Sequence, residues 1–293
     1  MSIKSTLKQF LLVRKGIRGF KKALAVIRGI GDEKVLAQLE SIDNYHALAI
    51  SEALSMVREK NKVTKPEAIK KIEFERARLS KLNKPLVDGS LGEPVEHDVD
   101  IMINQACFAS KSYSQALLLY WLVKKIEPQN VLELGSNVGI SSSYIGIALQ
   151  ANKNSSIFFT LDNSAYRLRI AKQVHKNVGL QKVRTVQGDF SNTLQSTLEN
   201  MGSVDLAFID GHHQYKPTLN YTNQIVKFAS HNAILVYDDI RHSKEMKEAW
   251  DKLKNDERFG LVIDLYSVGI CVLCTKKLTV EDRYVLPTLY NIF

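Results

Sequence analysis

From Asn130 onward the apolar residues fall in short runs, and helical spacing separates one run from the next. The runs predict strands at Asn130–Leu134, Ser156–Leu161, Val183–Gln187, Val204–Ile209 and Ala233–Tyr237. The stretches between and after them predict helices at Ile140–Gln150, Ser164–Val178, Ser191–Asn200, Tyr215–Phe228 and Ser243–Lys254. Two further runs, Leu261–Leu265 and Val268–Leu273, stand too close for a crossover helix and predict a terminal antiparallel pair. Alternating strands and helices imply an α/β fold with a mostly parallel sheet covered on both faces. Such sheets take ligands at the carboxyl ends of their strands, near the switch in strand order.

Upstream the period is helical throughout. Helices are expected over Leu7–Arg28, Asp32–Lys60 and Lys65–Leu82, with Thr64 capping the third and Pro66 in its first turn. Lys84–Pro94 carries turn formers without a period and reads as a linker. A further helical stretch runs from Asp98 to Ile126. The expected division is a helical N-terminal region, 1–97, and a sheet domain, 98–293.

Charge changes the picture only at one end. The chain carries a net +9, and eight basic residues (Lys4, Lys8, Arg14, Lys15, Arg18, Lys21, Lys22 and Arg28) precede the first acid, Asp32, so the remainder is close to neutral. Phe10, Leu11, Ile17, Phe20, Ala23, Leu24 and Ile27 interleave with these charges at helical spacing. The sharper reading is an amphipathic helix at a membrane surface; the plainer one, which we prefer, is a helix packed on the domain with a solvated basic face. No apolar run approaches the roughly 20 residues that span a bilayer, and Phe10–Val13 is too short for a signal-peptide core. Cys271 and Cys274 are spaced C-x-x-C, but in an apolar run that reads as a strand, where residues three apart face opposite ways. They read as small buried hydrophobes, as does Cys107. A cytoplasmic protein fits, peripheral at the membrane on the sharper reading of its N-terminus.

Candidate chemistry gathers at the ends of the predicted strands. The first ends in Glu133-Leu134-Gly135-Ser136-Asn137-Val138-Gly139, an acid followed by a glycine turn that opens a helix. Asn137 stands where a dinucleotide fingerprint would have its middle glycine, and the acid suits a cationic ligand better than a pyrophosphate. Asp162 ends the second strand, placed to accept from ribose hydroxyls. Asp189 and Phe190 follow the third, where a carboxylate could accept from an adenine amino group and a ring could pack on it. Any one of these acids could equally be a helix cap or turn former, but the set in chain order is harder to obtain by chance.

A second group lies on the fourth and fifth strands. Asp210 ends the fourth, and Asp238-Asp239 ends the fifth. Carboxylates converging there repel one another unless they are protonated, paired or bound to a cation, and oxygen-only ligands suit a hard ion such as Mg²⁺. His213 lies three residues after Asp210 and is a candidate base, with His212 second and Lys216 third. Tyr215, Arg241 and His242 are candidates for lining the substrate side.

From about Ser110 to Thr275 this order resembles the class I S-adenosylmethionine (SAM)-dependent methyltransferases, with V-L-E-L-G-S-N-V-G-I-S-S similar to their first motif. More narrowly, F-I-D-G-H-H-Q-Y followed by L-V-Y-D-D-I resembles the catechol- and macrocin-type O-methyltransferases. The resemblance implies a Rossmann-like sheet of seven strands, the last antiparallel. It implies Glu133, Gly135, Ser136 and Gly139 at the methionine end of SAM, Asp162 at the ribose and Asp189 at the adenine end; Phe190 and Asp210 join them as candidate cofactor contacts. It further implies a divalent metal on Asp210, Asp238 and Asp239, with His213 as base. The chain departs from the family in two places: Asp162 stands where Glu is common, and Ser230-His231-Asn232 replaces a glycine-rich loop. The expected activity is O-methyl transfer to a small molecule or a sugar, with a homodimer allowed. Two other readings are a SAM-binding structural module with a partner- or membrane-binding helical region, and a nucleic-acid methyltransferase. The last is disfavoured, because the basic residues crowd at one end of the chain.

Overall fold

The structure is a computed structural model that describes residues 33, 36–59, 66–152, 155–274 and 283–285. The expected basic helix Leu7–Arg28 and the cap Thr64 lie outside the described residues.

The sheet core follows the expected order. The strands are β1 (Asn130–Leu134), β2 (Ile157–Asp162), β3 (Val183–Gln187), β4 (Val204–Ile209), β5 (Ala229–Tyr237), β6 (Phe259–Asp264), β7 (Gly269–Leu273) and β8 (Arg283–Val285). Among the described residues they form one eight-stranded sheet in the order β3-β2-β1-β4-β5-β7-β6-β8. Strands β1 to β5 pair in parallel, β7 runs antiparallel to both neighbours, and β8 joins the β6 edge in parallel. The last of the seven expected strands is antiparallel, as the resemblance implied. The antiparallel strand is β7, inserted between β5 and β6, and an eighth short strand closes the edge. The chain reverses direction across the sheet between β1 and β4, which is where a parallel sheet leaves a crevice.

Alternate residues of each strand feed two cores. Val131, Phe158, Phe208 and Val236 enter one, whereas Leu132, Phe159, Ile209 and Tyr237 enter the other. Three helices cover the second face: α7 (Phe190–Met201), α8 (Tyr215–Phe228) and α9 (Lys244–Lys254). The first face is covered by α4 (Tyr113–Ile126), α5 (Ile140–Gln150) and α6 (Ala165–Val178). Onto these pack α1 (Tyr45–Arg58) and α2 (Glu67–Leu79), whose Ile50, Leu54, Ile69 and Ile72 are fully buried. Helix α1 lies against α4, and α2 lies against α5 and α6. No described helix is long and apolar enough to cross a membrane.

Two long expected helices are broken. Asp32–Lys60 is interrupted around residues 42–44, where Asn44 adopts an extended backbone and its side chain accepts from the His46 and Ala47 N–H groups. An asparagine cap offers the backbone a better partner than the continued helix would. The stretch Asp98–Ile126 divides into α3 (Ile103–Phe108) and α4, because Ser112 caps the latter in a reciprocal box with Gln115. The loop between them, residues 109–112, reaches the carboxyl edge of the sheet. Within 84–94, Leu86 is fully buried and its N–H donates to the Ile101 carbonyl at 2.8 Å.

Replacing the cap, Asn44→Ala, is expected to lower unfolding stability by about 1 kcal/mol. Urea denaturation measures this; an unchanged midpoint would mean that the break between the two helices contributes nothing to stability.

Candidate active site

The loop after β1 is built by close approach. Gly135 has φ +99°, and a Cβ there would lie 2.0 Å from the Asp210 carbonyl oxygen. Only glycine lets the β1 loop lie against the end of β4 in this way. Gly139, φ +84°, brings the start of α5 within contact of Ala171 on α6. Asn137 takes the left-handed backbone at φ +45°, a conformation asparagine tolerates better than most residues. Its N–H donates to Asp162 Oδ2 at 2.8 Å, and its side chain ties Ala106 O to Arg167 Nη1.

Beneath this loop sits a buried polar chain. Glu133 is fully buried; Thr160 Oγ1 donates to its Oε2 at 2.5 Å, and the Ser136 hydroxyl is 2.5 Å from Thr160 Oγ1. Burial pushes the Glu133 carboxyl up to about 8, and its Oε1 has no hydrogen-bond partner. Glu133, Ser136 and Gly139 thus lie under or behind the loop and do not line the cleft, unlike Gly135.

The cleft itself has a volume of about 420 Å³, within the small-molecule range. It brings together Gly135, Asp162, Asp189, Phe190, Asp210 and His213, residues spread over nearly 80 positions of sequence. Asp162 accepts from the Asn137 and Ser164 N–H groups, and burial raises its carboxyl above the usual range. Asp189 caps α7 at the rim, where hydrogen bonds from Ser191 hold its carboxyl low. Phe190 is buried edge-on to His212 and packs under Gly211, where a Cβ would meet its ring at 2.5 Å. A second cavity, about 280 Å³, opens at the other end of the strands among Leu149, Phe158, Leu180 and Val183; no carboxylate or histidine lines it.

The second group is held by a residue absent from the sequence-based set. Lys111, in the loop before α4, is almost wholly buried, and its ammonium donates to Asp238 Oδ2 and lies 3.1 Å from Asp210 Oδ2. Burial works against the ammonium, but Asp210 and Asp238 outweigh it and hold Lys111 charged. Burial likewise works against the Asp210 carboxylate, yet Lys111 and His213 hold it below the usual range. Asp238 is fully buried with Oδ1 unpartnered, and burial together with Asp210 pushes it up to about 8. The two aspartates behave as a pair that binds a proton readily while Lys111 stays ionised.

His213 Nε2 is 3.4 Å from Asp210 Oδ1 and 4.0 Å from Asp239 Oδ2. Burial pulls its pKa down, but the hydrogen bond and charge of Asp210, with Asp239 and Asp238 behind, raise it above the ordinary value. Asp239 stands at the rim with His242 3.9 Å away. Of the other candidates, His212 lines the cleft as well, whereas Lys216, Arg241 and Tyr215 do not. His212 hydrogen-bonds Tyr221, Lys216 is exposed, and Arg241 forms a two-pronged pair with Asp264. Tyr215 packs on the core of the second face.

Asp98 and Arg167 were also missed. Asp98 is fully buried and accepts from Arg167 Nε and from Ser164, and Arg167 lines the cleft. One signal could have found Lys111: it is the single charged residue between Asp100 and Lys124, in an otherwise apolar and neutral stretch. An isolated lysine among so many apolar positions needs a buried partner.

The donor set does not fit the expected divalent cation. Lys111 places its ammonium between Asp210 and Asp238, and among the described residues no group of three histidine, cysteine or carboxylate side chains is arranged to hold a metal.

Residues 132–240 match a family model described as a methyltransferase domain. Solved structures share the fold across most of their own length. The SAH-bound methyltransferase PaMTH1 of Podospora anserina is 17% identical with a TM-score of 0.56, covering 77% of this chain and 95% of that one. The O-methyltransferase from Bacillus cereus, in complex with SAH, is 16% identical with a TM-score of 0.53, covering 74% and 94%. The O-methyltransferase TomG from Streptomyces achromogenes, involved in tomaymycin synthesis and in complex with SAM, is 17% identical with a TM-score of 0.51, also covering 74% and 94%. No curated protein sequence matches the chain. The sheet domain has the Rossmann-like fold of class I methyltransferases, as the first motif and the strand-end acids implied.

Two measurements check the electrostatics. Glu133 carries a raised folded pKa, so its contribution to stability is full below the unfolded value of 4.5 and is lost as pH rises through about 8. The stability difference between wild type and Glu133→Gln should therefore shift in favour of the variant across that window; a constant difference would mean that Glu133 is not protonated in the fold. For His213, a nuclear magnetic resonance titration should place the imidazole midpoint above 6.5. Asp210→Asn should bring that midpoint down, and an unmoved value would remove Asp210 as its partner.

Proposed function

We propose that this chain is a SAM-dependent methyltransferase that acts on an oxygen of a small molecule or a sugar. The observation that supports this reading is the convergence, in one cleft at the switch between β1 and β4, of three strand-end aspartates (Asp162, Asp189 and Asp210) with His213. A cleft walled by carboxylates suits a ligand with a sulfonium, an ammonium and a polyhydroxylated ribose better than it suits a pyrophosphate. The close packing at Gly135 adds a surface of bare backbone against which such a ligand can lie.

Bound SAM would supply a methyl group on an electrophilic sulfur. Asp162, fixed by two backbone N–H groups, keeps lone pairs for ribose hydroxyls. Asp189, at the rim and low in pKa, remains an anionic acceptor for the adenine end. Glu133 acts from below, where its unpartnered oxygen and the Thr160 and Ser136 hydroxyls set the polarity of the loop. His213 is the group placed to take the acceptor's proton, and Asp210 stabilises the imidazolium that results. Positioning and this proton transfer account for the catalysis proposed. The raised pKa of His213 means that the neutral, proton-accepting form accumulates only above the ordinary imidazole value, so activity should rise with pH through that range.

The division into an N-terminal region, 1–97, and a cofactor-binding domain, 98–293, belongs to the same proposal. A cytoplasmic setting belongs to the same reading, peripheral at the membrane if residues 1–28 bind lipid.

Calorimetry with SAM and with NAD tests the proposal. SAM is expected to bind and NAD not to bind, and Asp162→Ala should weaken SAM by about tenfold or more, the loss of a charge-assisted hydrogen-bond pair. No binding of SAM, or tighter binding of NAD, would reject the assignment.

A further inference from the structure

We infer that Lys111 is the resident cation of this site: its ammonium fills the position between Asp210 and Asp238 that a divalent metal would otherwise take, and the chain works without one. The inference rests on the methyl-transfer reading for its catalytic meaning, but the geometry that carries it does not.

Three observations converge. The first is burial with paired charge. Lys111 reaches the inner ends of β4 and β5, and its ammonium lies against Asp238 and 3.1 Å from Asp210. A lysine ammonium buried to this extent is tolerated where opposite charges meet it. The second is the anchoring of its backbone. Arg76 Nη1, on α2, donates to the Lys111 carbonyl at 2.7 Å, and Arg76 Nε is held by Glu73 at 3.0 Å. The next residue, Ser112, is locked as the cap of α4. The lysine is thus delivered from both sides. The third is what remains for a metal. A hard divalent ion needs several oxygen ligands around an open centre. With the ammonium between them, Asp210 and Asp238 each have an oxygen committed to Lys111, and Asp239 stands out at the rim, about two-fifths exposed.

Lys111 also acts through Asp210. It takes Oδ2 of that carboxylate, while His213 takes Oδ1. It is therefore a positioning residue for the histidine. The chemistry this selects differs from that of a metal site. A metal holds two acceptor oxygens at once, whereas an ammonium–carboxylate pair beside a histidine needs only one. The acceptor class that fits is an isolated hydroxyl, without the requirement for a neighbouring oxygen.

Mn²⁺ titration of the full chain, followed by electron paramagnetic resonance of the free ion, tests the inference without SAM or acceptor. Wild type should show no specific site, with Mn²⁺ signal loss no greater than in Asp238→Asn. Lys111→Ala should bind Mn²⁺ at least about tenfold more tightly than wild type, because Asp210 and Asp238 then face each other without a cation. Lys111→Arg should stay as blind to Mn²⁺ as wild type. Mn²⁺ binding by wild type that Asp238→Asn abolishes would overturn the inference, and this arm stands even if Lys111→Ala fails to fold. A folded Lys111→Ala that binds no more Mn²⁺ than wild type would overturn it too. SAM calorimetry on the same samples keeps the two claims apart: SAM binding by a wild type that also binds Mn²⁺ would reject the resident cation and leave the methyltransferase reading standing. Absence of both bindings would do the reverse.

Discussion

Negative charge brought into a dry crevice is the constraint on which this structure turns. The carboxyl ends of β1, β2, β4 and β5 each carry an acid, and the sheet sets those ends side by side. Isolated ionised carboxylates would be expelled or neutralised there. The chain gives each its own remedy. Glu133 is lifted towards the neutral form and leans on hydroxyls. Asp162 is held by two backbone N–H groups. Asp210 and Asp238 share a lysine. The loops around the crevice follow from these remedies: the left-handed turn at Asn137 aims an N–H at Asp162, and the loop 109–112 exists to carry Lys111 inward.

The strand-and-helix order after Asn130 was legible in the sequence because most strands bury both faces, so their runs of apolar residues are continuous and short, with the half-exposed edge strand β3 the exception. Three of the acids were legible for a related reason: Asp162, Asp210 and Asp238 are the polar residues that directly end their runs. Less visible were the places where a polar side chain overrides helical spacing. Asn44 and Ser112 each cap the start of a new helix inside a stretch whose apolar period runs straight through. The position of β7 between β5 and β6 is a matter of long-range pairing, which no local period encodes.

The site was read in part. Gly135, Asp162, Asp189, Phe190, Asp210 and His213 meet in the cleft, as their strand-end positions suggested. Ser136 and Gly139 lie in the same motif but outside the cleft lining, Ser136 buried against Thr160 and Gly139 packed on Ala171. Lys111, Asp98 and Arg167 were not found, because none stands at a strand end: Lys111 and Asp98 precede β1 by 19 and 32 residues, Arg167 lies within α6, and all three acquire meaning only once folded. The donor set departs from the metal expectation at this point: counting carboxylates gives a ligand set, but one lysine from the loop before α4 changes what the set can hold.

The contact at Gly135 has a mechanical consequence. With no side chain between it and the Asp210 carbonyl, the β1 loop and the β4 end cannot slide past or away from each other without opening a void in the sheet's own edge. That wall of the crevice is stiff. Any widening that admits a ligand must be borne by the loops beyond that contact, where the left-handed pair His212 and His213 lies outside regular strand and helix. Motion in this protein should thus be one-sided, with the cofactor's bed fixed and the acceptor's approach left to the loops.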